Sequence, residues 1–587
     1  MDRLSPLAAL FVDAEDKDPH TSMAIASIAV FEGPSPTHEE FLAFLAGRLP
    51  LVPRYRQKLR TVPFRLGRPV WVDDPHFDLG YHVRRIALPA PGGDRQLAEF
   101  MARVMSQRLD RDHPLWEYWV IEGLAEGRWA LISKEHHCMV DGISAVGLYR
   151  VIFGFSPAPA PPTATDDRVP GAEPSPPELA AEAVLDDVLL PLRGALALSS
   201  SASHPGRAIR QAGDAVRAFA KLTPAVWPAA RSSLSGPIGK ERRFIWARAS
   251  LDDVKLIERE FGGTVNDVVL AAISGGFRAL LLARGEQPGP HMVRSLVPVS
   301  LRAPGEESIH ENRVSAVLAD LPVHVADPVE RLAAVRAGLQ ALKASREAMV
   351  GESLTSLGRY SLYSLWSWWA RLAFGLPQRQ IVTVTTNVPG PQQPFYGMGR
   401  RLVQIIPCVP IATTVRTGIA IFTYCGTVTF GITGDFTANP DLDVLARGIE
   451  RGLSELLAAA ERHHRRAWPS AALRGLVAVP RFLGRPDAVE ESADLGGQTG
   501  RPHPELGEGA GPDQPGIRKL SRQPLRVAER VDQVDPMPQH QRRRGNGPAL
   551  VDGRSDGPQQ NTVQHGGDFV RVRRGGTDKR VNWAEPR

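Results

Sequence analysis

The sequence predicts a mixed α/β protein with more than one core-forming unit, and three observations carry that expectation. The 587 residues exceed what one hydrophobic core usually organises. Short runs rich in β-branched and aromatic residues alternate with stretches whose apolar positions fall three and four apart, the spacing of one helix face. The composition, 43% hydrophobic and 23% charged, suits a globular chain and excludes a fibrous, coiled-coil or wholly disordered class.

In chain order, residues 1–155 form the first expected domain. SIAVFEG and RWALISK read as strands there, and RQLAEFMARVMSQRL reads as a helix. Residues 156–239 form a connector. Its Pro-rich start removes backbone donors and fixes φ, and Leu179–Leu222 then carries helical spacing. Residues 240–464 form the second mixed domain, with HMVRSLVPVSL, QIVTVTTNV and GIAIFTYCGTVTFGITGD as strands. Its last helix is DLDVLARGIERGLSELLAAAERHHRR, started at Asn439-Pro440 or capped by Asp441. From 465 to 587 Gly, Pro, Gln, Arg and Asp dominate, apolar periodicity ends, and a disordered, low-complexity tail is expected.

Seventy Lys plus Arg against 64 Asp plus Glu gives +6, a mild excess that does not call for a nucleic-acid partner. Cys138, Cys408 and Cys425 are odd in number and scattered, which offers neither a disulfide framework nor a CxxC metal site and fits a reducing cytoplasm. The first residues lack a secretory pattern, and the run from Tyr360 to Leu376 falls short of the ~20 apolar residues of a spanning helix.

Chemistry concentrates in Lys134-Glu135-His136-His137-Cys138-Met139-Val140-Asp141-Gly142, between an expected strand and helix. Histidine can take and return a proton near neutral pH, as general acid–base catalysis requires. Asp141 lies close enough in sequence to orient the loop, and Gly142 permits a tight backbone turn. A hydrogen-bonded structural pair of histidines explains the same residues without catalysis. Two His and one Asp could ligate zinc, yet no HExxH pattern accompanies them, and no metal is expected. There is no GxSxG elbow and no GxGxxG or GxxxxGK[ST] phosphate loop, which disfavours a serine nucleophile and nucleotide chemistry.

HHCMVDG matches the HHxxxDG pattern, and further segments follow in order: LSP at Leu4, PLWEYWVIEGL from Pro114, TVNDVVLAA from Thr264, PVSLR ending at Arg302, TNVPGPQQPFYGMG from Thr386 and GITGDFTANPDLD from Gly431. On these residues the chain resembles the bacterial wax ester synthase/acyl-CoA:diacylglycerol acyltransferase family over most of residues 4–460. Peptide-synthetase condensation domains share the histidine motif, but the later segments select the lipid branch. Ala8 and Met23-Ala24 depart from an acid and a Met-His pair common in the family, which leaves acceptor preference open.

The resemblance implies two chloramphenicol-acetyltransferase-like sandwich domains with a reaction centre in a tunnel between them. It implies fatty acyl-CoA as co-substrate with no other cofactor, and diacylglycerol or a long-chain alcohol as acceptor. His137 becomes the general base and His136 a supporting residue. Asp141 and Gly142 serve the motif structurally, with Arg302 as the ion-pair partner of Asp141. Asn266 could contact substrate or the developing oxyanion, while for Asn266 and Asp267 together helix capping is the competing role. A noncatalytic lipid-binding protein is the alternative of a different class.

A lipid enzyme must collect water-insoluble substrate, and Leu362, Trp366 and Trp369 fall at helical spacing in an aromatic stretch ending near Arg371. That stretch reads either as a peripheral membrane or lipid-inclusion contact or as a buried helix.

Overall fold

In the computed structural model the described residues are 2–139, 145–158, 170–185, 232–300, 314–347 and 381–476. They include neither the Trp366–Trp369 stretch nor the chain beyond 476, and of the connector helices only the first residues. The expected mixed α/β architecture is what they show, within one unit spanning Met1–Leu483.

The chain opens with β1 (Asp2–Arg3) and α1 (Pro6–Lys17). Ser5 caps α1, its hydroxyl oxygen accepting from the Ala8 amide at 3.2 Å, and Pro6 supplies the fixed φ favoured in a first helical turn. There follow β2 (Ala24–Phe31), α2 (His38–Ala46), β3 (Gln57–Arg60), β4 (Val70–Asp73), α3 (Leu79–His82), β5 (Val83–Ala87), α4 (Asp94–Met105), β6 (Trp116–Glu122), β7 (Trp129–His136) and α5 (Ala145–Ile152). The latter part holds β8 (Arg242–Ser250), α6 (Leu251–Phe261), α7 (Val265–Ala283), β9 (Val293–Ser300), β10 (Val314–Leu321) and α8 (Pro328–Glu347). It ends with β11 (Thr383–Val388), β12 (Tyr396–Gly397), β13 (Arg400–Cys408), β14 (Thr417–Tyr424), β15 (Thr427–Asp435) and α9 (Leu442–Leu476).

Two six-stranded sheets organise these elements. The first runs β12-β13-β2-β7-β6-β5 and is antiparallel except for the β5/β6 pair. The second runs β10-β9-β11-β14-β15-β8, with β11 parallel to both neighbours. A small third sheet, β1-β4-β3, supports the start of α1.

β7 has every residue buried, so both of its faces must be covered. By strand alternation Trp129 and Leu131 join Phe31, Phe41 and Tyr149 on one face, with Phe422 and Tyr424 of β14. Ala130 and Ile132 join Met101 of α4 on the other, with Phe244 and Trp246 of β8. The two sheets therefore share core on both faces of the first. They come close at Gly431 of β15, where a Cβ would stand 1.6 Å from the Pro407 carbonyl oxygen of β13. The strand Arg400–Cys408, which comes from the latter part of the chain, pairs with β2 in the first sheet.

α7 is the one helix among the described residues long and apolar enough to cross a membrane, but it is built as core. Val268–Ile273 are buried, and Gly276 and Gly448 let α7 and α9 approach until backbone nearly meets backbone. The run read as one strand from Gly418 to Asp435 is a hairpin, β14–β15, turning at Cys425-Gly426 with positive φ at both residues. α9 continues past the composition change at Arg465, to Leu476.

Candidate active site

The histidine pair lies where β7 ends. His136 is the last strand residue, opposite Ala24 of β2, and its amide donates to Leu115 O at 2.9 Å. The His137 amide then donates to Met23 O at 2.9 Å and the Met139 amide to His136 O at 2.9 Å, which turns the chain sharply. These bonds fix the backbone on both sides of the two rings.

The rings have different surroundings. His136 is 1% exposed. Its Nδ1 accepts the Cys138 amide hydrogen at 3.1 Å, and its Nε2 lies 3.3 Å from Glu15 Oε1, at an angle off a linear hydrogen bond. Burial opposes a charge on this ring, but Cys138 and the Glu15 carboxylate outweigh it and push its pKa up to about 9. With the Cys138 amide donating to Nδ1, the ring's proton sits on Nε2, facing Glu15, and a second proton on Nδ1 would have to displace that amide. His137 is partly exposed and stacks on Phe11, with centroids 4.2 Å apart and planes 20° apart.

Glu15 is buried at 2% exposure. Its Oε1 accepts the Met23 amide at 2.6 Å and its Oε2 accepts Arg111 Nη2 at 2.9 Å. Burial pushes this carboxyl up, but the contacts with His136, Met23 and Arg111 outweigh it and hold it well below the usual carboxylate range.

On the opposite side of β7 is a second polar cluster. Tyr55 OH donates to Glu135 Oε1 at 3.2 Å and meets Tyr118 OH at 2.9 Å. Burial pushes the Glu135 carboxyl up to about 8, against the lowering effect of both tyrosine hydroxyls. Ser27 Oγ bridges Ser133 Oγ and Tyr149 OH, each at 2.9 Å. Toward α4, Lys134 Nζ donates to Val104 O, Gln107 O and Glu117 Oε1, all at 2.9 Å.

The side chains of Leu115 and Trp116, which follow Pro114, are packed inside the fold. Leu115 is buried with Ala8, Val12 and Cys138 beneath α1, and Trp116 Nε1 donates to Tyr55 O at 2.8 Å. Cys138 fills apolar space in the same cluster, as a small buried side chain should.

Asn266 and Asp267 lie apart from the histidines in sequence, at the start of α7. Asp267 Oδ2 accepts the Thr264 amide at 2.8 Å and the Thr264 hydroxyl at 2.9 Å, closing a capping box. Its carboxylate is taken up by the helix end, the competing role weighed above. Asn266 Oδ1 accepts from Asn387 Nδ2 at 3.2 Å, which ties α7 to β11. Asp141, Gly142 and Arg302 lie outside the described residues. Among the described residues no three His, Cys, Asp or Glu side chains gather as a metal site.

Phe11, Glu15 and Arg111 were not found from sequence. The available signal was Phe11 and Glu15 four apart on one short helix, but nothing in the sequence shows that this helix covers the end of β7.

Residues 4–269 match the wax ester synthase/diacylglycerol acyltransferase catalytic domain, and residues 311–457 match the C-terminal domain of the same family. Relatives from Mycobacterium bovis and Mycobacterium tuberculosis, both named diacylglycerol O-acyltransferase, are each 42% identical over 79% of this chain and 97% of their own length. A wax ester synthase/diacylglycerol acyltransferase structure from Marinobacter aquaeolei is 26% identical with a TM-score of 0.55, over 78% of this chain and all of that one. The chain belongs to the wax ester synthase/diacylglycerol acyltransferase family and is an acyltransferase.

Proposed function

We propose that the protein transfers a fatty acyl group from acyl-CoA to the hydroxyl of diacylglycerol, forming triacylglycerol, with His137 as general base. The observation that carries this is the contrast between the adjacent histidines. His136 is buried, with both ring nitrogens facing protein groups, whereas His137 is only half-buried and its ring stacks on Phe11. One imidazole is closed in by the scaffold, and the other belongs to a residue that keeps partial exposure.

In the reaction His137 takes the proton of the acceptor hydroxyl as its oxygen attacks the thioester carbonyl carbon. Negative charge gathers on the carbonyl oxygen. Collapse then breaks the carbon–sulfur bond, and the imidazolium returns the proton to the departing thiolate. The products are ester and free CoA thiol, with no covalent acyl-enzyme and no cofactor beyond the acyl-CoA. The names of the relatives support diacylglycerol as acceptor. The same base would serve a long-chain alcohol, and the name of the Marinobacter structure carries both activities.

Incubating the purified protein with radiolabelled palmitoyl-CoA and either diolein or hexadecanol tests the assignment. Labelled triacylglycerol supports it. Ester from hexadecanol alone would transfer the assignment to wax ester synthesis, and label without ester would leave a lipid-binding protein.

A further inference from the structure

We propose that Glu15 is a positioning residue for the base, acting through His136. This rests on the reading of His137 as general base and adds a second helix to the machinery. Phe11 and Glu15 are four residues apart on α1, hence neighbours on one helical face. That single face meets both histidines, Phe11 stacking on His137 and Glu15 facing His136 Nε2 at 3.3 Å.

Glu15 Oε1 touches both strands that frame the turn. It accepts the Met23 amide just before β2, and it faces His136 at the end of β7. Met23 is also the residue whose carbonyl accepts the His137 amide. One carboxylate oxygen therefore fixes the residue that holds the backbone of the base, and it lies 3.3 Å from His136 Nε2, the nitrogen left for the ring's proton. With the proton there, Nδ1 is free to accept the Cys138 amide, which sets the turn that carries His137 out of the strand.

The other oxygen, Oε2, is held by Arg111, which Asp16 also pairs at 2.5 Å. Arg111 thus keeps a carboxylate partner if Glu15 is neutralised. What the two histidines require of Glu15 is an acceptor oxygen at Oε1. An amide can supply that and a methyl cannot.

The test compares the steady-state kinetics of the parent with Glu15→Ala, Glu15→Gln, Asp16→Ala and His137→Ala, using palmitoyl-CoA and diolein. Misplacing a catalytic group by an ångström costs up to about 100-fold, so Glu15→Ala should lose at least about tenfold in kcat, with KM for both substrates within about threefold. Glu15→Gln should restore kcat to within about threefold of the parent, and Asp16→Ala should match the parent.

Parent-like kcat in Glu15→Ala, with His137→Ala inactive, would overturn the proposal alone. An active His137→Ala would overturn the reading beneath it. A Gln variant as impaired as the Ala variant would show that the charge is needed, not the acceptor oxygen, and would likewise overturn the proposal. Should Glu15→Ala fail to fold, 15N spectra of histidine-labelled parent and Glu15→Gln still decide. A proton on His136 Nε2 in both is expected, and a proton on Nδ1 in the parent contradicts the proposal.

Discussion

Tyr55 OH donates to Glu135 Oε1 across 3.2 Å, which places a buried carboxyl one residue before the histidine pair. Its ring also stacks on Trp116, at 4.5 Å between centroids, so the donor cannot swing away without breaking the aromatic core.

That carboxyl predicts a pH-dependent stability. Burial raises Glu135 to about 8 in the fold, while an unfolded glutamate ionises near its ordinary value of 4.5. Between these values the unfolded chain releases a proton that the fold retains. The contribution is therefore full below about pH 4.5 and is lost as pH rises toward about 8, by at most about 1.4 kcal/mol per pH unit. Glu135→Gln should gain on the parent in Tm as pH rises from 5 to 8. Parallel Tm profiles would contradict the buried, neutral carboxyl.

Lys134 predicts a large loss on truncation. Its ammonium is wholly buried, bonded to two carbonyls and to Glu117, itself 8% exposed. Removing one partner of a buried ion pair costs about 3–5 kcal/mol; Arg84, 3.5 Å from Glu117, offsets part of it. Lys134→Ala should therefore lose at least about 2 kcal/mol in denaturant unfolding. A loss below about 0.5 kcal/mol, the size of an ordinary surface substitution, would show that the side chain is not buried as described.

Asp267 predicts a stability effect separate from chemistry. With its carboxylate in the α7 capping box, Asp267→Ala should cost about 1 kcal/mol while kcat per folded molecule stays near that of the parent. A tenfold fall in kcat at full folding would instead assign it to substrate.

Gly431 tests the meeting of the two sheets. A methyl 1.6 Å from the Pro407 carbonyl oxygen cannot be accommodated without moving β13 or β15. Gly431→Ala should lower stability by about 3 kcal/mol or more, seen as a Tm drop or loss of folded protein. A parent-like Tm would mean that the strands stand farther apart.

The legible parts of the fold were those with a local pattern. Most residues of β7, α4, β9 and β11 lie within runs whose composition and spacing single them out, and the Thr264-to-Asp267 spacing marks a cap. β13 pairs with β2 from far along the chain and carries Pro407, so no local signal links the two. β1, β3 and β4 are only two to four residues long, too short to show alternation. At the site, His136 and His137 stand out by type, but their different environments do not, because those depend on α1 lying over the strand end. Glu135 inside a strand reads as a solvent-facing charge; only the packing of Tyr55 and Tyr118 makes it a buried acid.

The most direct test is the turnover of His137→Ala with palmitoyl-CoA and diolein, measured on protein whose circular dichroism and Tm match the parent. General-base assistance is worth about 100- to 10,000-fold, so triacylglycerol formation should fall by at least about 100-fold. Parent-like triacylglycerol formation by the folded variant would show that another group takes the proton and that His137 is not the base.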